Sequence, residues 1–393
     1  MDKNNTAILV LSDVPWETPW SSRKRIAEGL VHDGWNVCYS TGPLNLWNRG
    51  TPSWNKAPFS RHIESDNGML LDVPGKLLSI WPSKPKYDHL IHLLYSAALK
   101  RQLLKYTNAK KLAVICFHPR YEKLVSALNP DYLVYFVYDD LEKSPGWNSS
   151  LAGSEQKILS KCHLLMGYSN EMMERIKKKT KAPSRALELA VDYQLFNKNI
   201  NTPAPQDLSK IPNPRLGWTG NINHKIDFEL LLQIAKEKPE LNFVFIGKEC
   251  VNDKGEFFDN GNAHLLWREL KALGNVHYLG LKHHNDIPKY VANMTINIMP
   301  YNLTSGLWVL NGYPLKMHEY LAVGKPVISA DLKTVRPFNT VIDIATSKKQ
   351  WISMIEHNLT ETAQSNIEGR LKVAKENDWS TRIESLTLWL KEL

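Results

Sequence analysis

The densest chemistry in this 393-residue chain lies in YNLTSGLWVLNGYPLKMHEYLAVGKPVIS, residues 301–329. A proline at the first position of a helix loses nothing by lacking an N–H. A helix begun at Pro314 would therefore aim its free amides and positive dipole end at an anion. Lys316 in that first turn would add a charge-assisted hydrogen bond to a phosphate, worth roughly 1.5–3 kcal/mol. Glu319, three residues on, shares a helix face with Lys316. A carboxylate beside a phosphate site is repelled unless hydroxyls donate to it, and a ribose supplies two. Thr304, Ser305 and Gly306 would bring hydroxyl and backbone donors from the preceding loop. The competing reading of K-x-x-E is a solvated ion pair on an ordinary helix.

A second constellation is YFVYDDLEKSPGW, residues 135–147, in which an apolar run ends in two carboxylates. Successive strand residues point to opposite faces, so at most one of Asp139 and Asp140 can look squarely toward a ligand at the strand's end. A carboxylate there is placed to take a proton from a hydroxyl; the alternative is a helix N-cap, with Leu141 and Glu142 beginning the helix. His118, at the end of an apolar run in ICFHPRY, could assist proton transfer or serve as a structural histidine. Residues 16–25 follow the first apolar run, and Trp16, Trp20 and Arg25 are candidates to contact sugar rings by stacking and hydrogen bonding. His283 and His284 have no carboxylate or cysteine at ligand spacing and read as a solvent-exposed loop rather than a metal site. Asp139 and Asp140 do not form the D-x-D spacing of a metal site, so no metal ligand is assigned. The lysines at 177–179 and 181 read as a solvated helix end or a contact for lipid head groups.

These residues need elements to position them. Short apolar runs at 7–11, 36–39, 89–94, 112–117, 132–138 and 164–168 read as buried parallel strands, with a helix over 23–33 that stops at Gly34. Residues 197–214 turn polar and carry four prolines, and read as a linker. Beyond them strands at 215–218, 243–246, 276–279, 295–299 and 326–329 alternate with helices at 227–238, 286–292 and 314–323. The expectation is an α/β protein of two Rossmann-like domains facing across a cleft, where strand C-termini bind ligands. The divisions are 1–196, the linker 197–214, 215–375, and a C-terminal helix in 376–393 that packs back on the first domain.

With 43% hydrophobic and 23% charged residues the chain reads as globular. The apolar stretch 7–11 is too short for a signal-peptide core or a membrane span, and four scattered cysteines indicate neither zinc nor disulfides, so the expected location is the cytoplasm. The net charge of +9 is concentrated in residues 1–195, which hold 26 Lys and Arg against 19 Asp and Glu. Six of the 13 tryptophans fall in the first 81 residues. A basic, Trp-rich half suits the anionic inner face of a cytoplasmic membrane, although ordinary buried tryptophans in a basic protein would look the same. The cations are not aligned with aromatics in the manner of a groove that tracks nucleic acid.

The run PLKMHEYLAVGKPVIS resembles the donor-binding helix of GT-B glycosyltransferases of the GT4-like group. GWTGNIN, FVFIG, VHYLGL and INIMPYN stand around it in the order those enzymes show. ELAVDYQLF resembles the segment ending their N-terminal domain, and ENDWSTRIESL resembles the helix that crosses back to it. The resemblance implies transfer of a sugar from a nucleoside diphosphate sugar, UDP favoured, without cofactor or metal. The acceptor would be a saccharide or lipid-linked molecule of bacterial surface polysaccharide synthesis. It also implies that Lys316 binds the pyrophosphate and Glu319 the ribose. Tyr301, Thr304, Ser305, Leu281 and Leu315 would lie beside the nucleotide, and Gly220 and Asn221 would approach the phosphates. YFVYDD is similar to the catalytic strand of bacterial exopolysaccharide glucuronosyltransferases, which implies Asp140 as base and inversion at the sugar. Retaining members carry two glutamates eight residues apart, and Asn311 stands where the first would be. Retaining transfer, 2-epimerisation on the same fold and a non-catalytic sugar-nucleotide subunit remain the alternatives.

Overall fold

Runs of apolar residues with no polar alternation, such as TAILVL and NFVFI, are buried along their whole length and form the centres of two sheets. The computed structural model describes every residue except 19–20, 140, 144–145, 253–254, 258–260, 305–311 and 361–365. In the first sheet the strands are β1 (Thr6–Leu11), β2 (Asn36–Ser40), β3 (His62–Asp66), β4 (Met69–Val73), β5 (Lys111–Cys116), β6 (Tyr132–Val137), β7 (Leu164–Gly167) and β8 (Ser184–Ala186), in the order β3-β4-β2-β1-β5-β6-β7-β8. All pairings are parallel except that of β3 with β4. The second sheet contains β9 (Arg215–Thr219), β10 (Asn242–Ile246), β11 (Val276–Tyr278), β12 (Ile296–Met299), β13 (Val327–Ala330) and β14 (Asp343–Ala345), ordered β11-β10-β9-β12-β13-β14 and parallel throughout. In each sheet the strand order reverses beside its first strand, at β1/β5 and at β9/β12, the switch point where open α/β sheets bind ligands.

The chain divides into two units, residues 1–188 with 382–393, and residues 189–381. The helices used below are α1 (Ser22–His32), α2 (Pro85–Thr107), α3 (Lys316–Leu321), α4 (Ile367–Glu376) and α5 (Trp379–Lys391). Most of α5 belongs to the first unit, where Thr387 accepts from the Trp35 indole at 3.2 Å and donates to Asp33 at 2.5 Å. Residues 197–214 lie inside the second unit, with Leu208 and Ile211 packed against Val244, Ile246 and Tyr290. All four cysteines are free thiols.

Two sequence expectations change. Residues 89–94 are not a strand but part of the 23-residue helix α2, whose Ile91, Tyr95, Leu99 and Leu103 recur every four residues and are buried. A short apolar run reads the same in a buried strand and in a buried helix; here a proline in the first turn and the four-residue spacing decide for helix. The helix expected from Pro314 begins instead at Lys316, because the Pro314 and Leu315 carbonyls accept from Met317 at 3.1 Å and His318 at 3.2 Å in a tighter, three-residue turn.

Candidate functional site

In the second unit the switch point lies between the ends of β9 and β12. Strand alternation turns Leu216 and Trp218 to one face, and Trp218 meets the Tyr301 ring edge-on at 5.4 Å. The loop after β9 is tied to the loop after β12 by Asp227 N–H donating to Pro300 and Asn302 N–H donating to Lys225, both at 2.8 Å. Lys316, on α3, places Nζ 3.1 Å from the centre of the Trp218 ring and 5.3 Å from that of Tyr301, cation–π contacts that hold the ammonium at the sheet's edge.

Glycine is required beside it. Gly220 follows β9 with φ +122°, and a Cβ there would stand 3.1 Å from Lys316 Nζ. Gly247, after β10, has φ +149°, and a Cβ would meet the Gly220 carbonyl oxygen at 2.0 Å. Both conformations are ones that side chains rarely adopt, and at Gly247 there is no room for one either; bare backbone is what a bulky anion needs for close approach.

The electrostatics are those of a cation held among poor solvent. Burial pushes the Lys316 ammonium well below the usual lysine range; the Glu319 carboxylate opposes this and Lys225 adds to it. Burial also raises Glu319 to about 7, with Lys316 opposing. Desolvation is the largest influence on both groups, which sets the pair apart from the solvated surface bridge that a bare K-x-x-E suggests. Tyr320, in the same turn, accepts from Thr219 N–H at 2.8 Å and anchors α3 to β9.

The other expected donor-side residues fare differently. Tyr301 is half-buried in the cluster, Asn221 is exposed beside Gly220, Leu315 is half-buried ahead of α3, and Leu281 is 72% exposed after β11. Thr304 uses its N–H and its hydroxyl on the Asn302 side chain, at 3.0 and 2.7 Å, so neither donor is left to offer outward; its oxygen can still accept. Met317 and His318 likewise spend their amides inside the turn, which leaves the Lys316 ammonium, rather than the helix end, as the chief positive charge. Ser305, Gly306 and Asn311 lie outside the described residues. Trp218 and Lys225 are the site residues that sequence reasoning missed, though a tryptophan on the inward register of a strand at the switch point was a usable signal.

The first unit carries its own cluster at the matching edge. Asp13, two residues after β1, takes an ion pair from Arg23 at 3.0 Å and a hydrogen bond from the Tyr138 hydroxyl at 3.3 Å. The Arg23 guanidinium lies 3.7 Å from the Tyr138 ring centre. None of the three was singled out from sequence, although Asp13 stands where the first strand ends. His118 Nδ1 accepts from Arg120 N–H at 3.0 Å, and burial, the largest cause, lowers the ring to about 4. It is therefore a neutral imidazole with its proton on Nε2, able to donate a hydrogen bond but not placed to remove a proton. Asp139 is exposed at the end of β6, and Asp140 lies outside the described residues.

Trp16 is committed locally. It packs on Tyr39 at 5.2 Å, donates to Asp66 at 3.2 Å and has the Lys24 ammonium 4.4 Å from its ring centre. Arg25 pairs with Glu28 at 3.6 Å on the same helix, and Trp20 lies outside the described residues. Arg23, two residues before Arg25, is the side chain that pairs with Asp13 in the cluster.

Residues 213–346, which span β9 to β14 and the Lys316 cluster, match the family of glycosyl transferases group 1. The chain carries a group 1 glycosyltransferase domain. The chain is also 26% identical over 238 residues to the putative teichuronic acid biosynthesis glycosyltransferase TuaH of Bacillus subtilis, an alignment covering 58% of the chain and 57% of that relative. Its fold is similar to that of sucrose-phosphate synthase from Thermosynechococcus elongatus (12% identity, TM-score 0.66, 99% of the chain and 98% of the other). The same holds for Anabaena HepE, solved with UDP-glucose (13%, 0.64, 99% and 100%). The architecture is that of GT-B glycosyltransferases, two Rossmann-like α/β domains, and the group 1 domain is the second of them.

Proposed function

We propose that this protein is a glycosyltransferase that moves a sugar from a nucleoside diphosphate sugar, UDP favoured, to a saccharide or lipid-linked acceptor in the synthesis of a cell-surface polysaccharide. The observation that carries the reading is the Lys316 ammonium, half-buried over Trp218 and Tyr301 beside the bare backbone of Gly220. A diphosphate there restores the charge balance that burial denies the lysine, and Glu319 is within one helical turn to accept from ribose hydroxyls. As the sugar–phosphate bond breaks, negative charge grows on the leaving diphosphate, and the fixed cations Lys316 and Lys225 stabilise it. No metal is required by this scheme. The relative named as a putative teichuronic acid biosynthesis glycosyltransferase and the neighbour solved with UDP-glucose support the substrate classes.

The acceptor is assigned to the first unit, with a carboxylate at the end of β6, Asp140 or Asp139, taking the proton from the attacking hydroxyl in a single inverting displacement. Neutral His118 and the Asp13–Arg23 pair orient the acceptor there. The location assigned is the inner face of the membrane. No helix among the described residues is long and apolar enough to cross a bilayer. On α2, however, Tyr87, Leu90 and Leu94 form one exposed face beside Trp81 and Lys84, which suits contact with an anionic interface.

Calorimetry with UDP and turnover with UDP-sugars test the assignment. Lys316→Ala should weaken UDP binding by roughly tenfold or more, the loss of a charge-assisted hydrogen bond. Asp140→Ala should abolish transfer while leaving UDP affinity near wild type. Equal UDP affinity in Lys316→Ala would remove the phosphate assignment, and unchanged turnover in Asp140→Ala would remove that base.

A further inference from the structure

A cavity of about 810 Å³ opens at the other edge of the second sheet, where its strands begin. It is within the size range of small-molecule sites. Arg215, the first residue of β9, lines it together with Lys325, which precedes β13, and Arg370 of α4. No carboxylate is among its described lining residues; Asn201, Asn213 and Thr295 add neutral polar groups and Met294 and Val323 an apolar wall. The guanidinium groups are already held in place. Arg215 donates to the Ile211 carbonyl at 2.7 Å and the Asn293 carbonyl at 3.3 Å, and Arg370 donates to the Gly324 carbonyl at 2.9 Å. Burial lowers the proton affinity of Arg215 and Lys325, and of Arg370 with Asp343 opposing.

Arg215 and Lys325 put two partly desolvated cations on one cavity, and the backbone carbonyls that hold Arg215 preorganise it, which lowers the cost of binding an anion there. We propose that this cavity is a second ligand site, distinct from the Lys316 cluster, that binds a small phosphate-bearing organic molecule. Arginine forks and a lysine suit the phosphate, and the apolar wall suits the organic body. The five-residue length of β9 sets the two sites roughly 16 Å apart at about 3.3 Å per residue. The cavity also touches the far end of α3, since Gly324 closes that helix by donating to Leu321 at 2.9 Å while its carbonyl accepts from Arg370. A bound anion would thus steady the helix that carries Lys316 and Glu319.

Glucose 6-phosphate is the probe, with glucose as the uncharged control, and calorimetry on the full chain is the measurement. Wild type and Lys316→Ala should bind glucose 6-phosphate alike, and Lys325→Ala should bind it about tenfold more weakly or not at all. Lys325→Glu should abolish binding, and glucose should not bind any of them. Lys325 has no structural hydrogen bond to lose, so both variants should keep the wild-type melting temperature in the absence of ligand. Binding that survives in Lys325→Glu, that disappears in Lys316→Ala instead, or that is absent from wild type would overturn the proposal.

Discussion

Lys316 is a cation that the fold makes uncomfortable. Its ring contacts with Trp218 and Tyr301 offset part of the desolvation, and Glu319 offsets part of the rest, yet the balance leaves its proton affinity well below that of a surface lysine. An anion bound there must raise that affinity again, so binding takes up protons. At pH 8.5, above the value of about 7 to which Glu319 is raised, the carboxylate is already ionised and the uptake belongs to the lysine. UDP binding followed in buffers of different ionisation enthalpy at that pH should show net proton uptake, and Lys316→Met should abolish it. A binding enthalpy independent of buffer would show that Lys316 is already fully charged in the free protein.

Among the elements, the edge of the first sheet is held by a buried ionic knot. β3 and β4 form a hairpin turned at Asn67 and Gly68, both at positive φ, a pair suited to a tight two-residue turn. Asp72 on β4 meets Arg61 at 2.6 Å with both side chains almost wholly inaccessible, and it accepts from Tyr95 of α2 at 2.6 Å and Ser40 of β2 at 2.5 Å. One carboxylate therefore joins two strands and the long helix. Removing it strands a guanidinium without its partner, which costs more than the pair contributes. Asp72→Ala should lower the unfolding free energy by about 3–5 kcal/mol, read from the urea midpoint at constant m-value. A loss under about 1 kcal/mol would mean that Arg61 finds water on its own.

At the scale of the whole molecule, α2 faces two ways. Ile91, Tyr95, Leu99 and Leu103 are buried against the sheet, while Leu90 and Leu94 stand 51% and 48% exposed on the other side. Large apolar side chains on an exposed helix face, with Trp81 and lysines alongside, should bind a lipid surface through both burial and charge. The protein should cosediment with vesicles rich in phosphatidylglycerol and less with neutral ones, and raised salt should weaken the contact. Leu90→Glu with Leu94→Glu should release it while UDP affinity is unchanged; equal cosedimentation of that variant would place any membrane contact elsewhere.

The sequence by itself determined the alternation of strands and helices, because buried parallel strands are apolar on both faces and announce themselves as short unbroken runs; β1, β5, β6, β9 and β10 lie within a residue of where those runs begin or end. It also singled out Lys316 and Glu319, since a lysine and a carboxylate early in a helix carry chemistry that neighbours in the chain can suggest, whereas Gly220 was implied only by the resemblance to GT-B glycosyltransferases. Only the tertiary structure decided what Lys316 rests on. Trp218 and Lys225 are brought to it by the order β9-β12, across about a hundred residues of chain, and local periodicity holds no record of such an encounter. The same holds for Asp13, Arg23, His118 and Tyr138, which share an edge because β1, β5 and β6 are adjacent in space. Residues 89–94 mark the remaining limit: an apolar run of six fits a strand or a helix equally, and the choice came from Tyr95, Leu99 and Leu103 further along, whose spacing matters only once a sheet exists for them to cover.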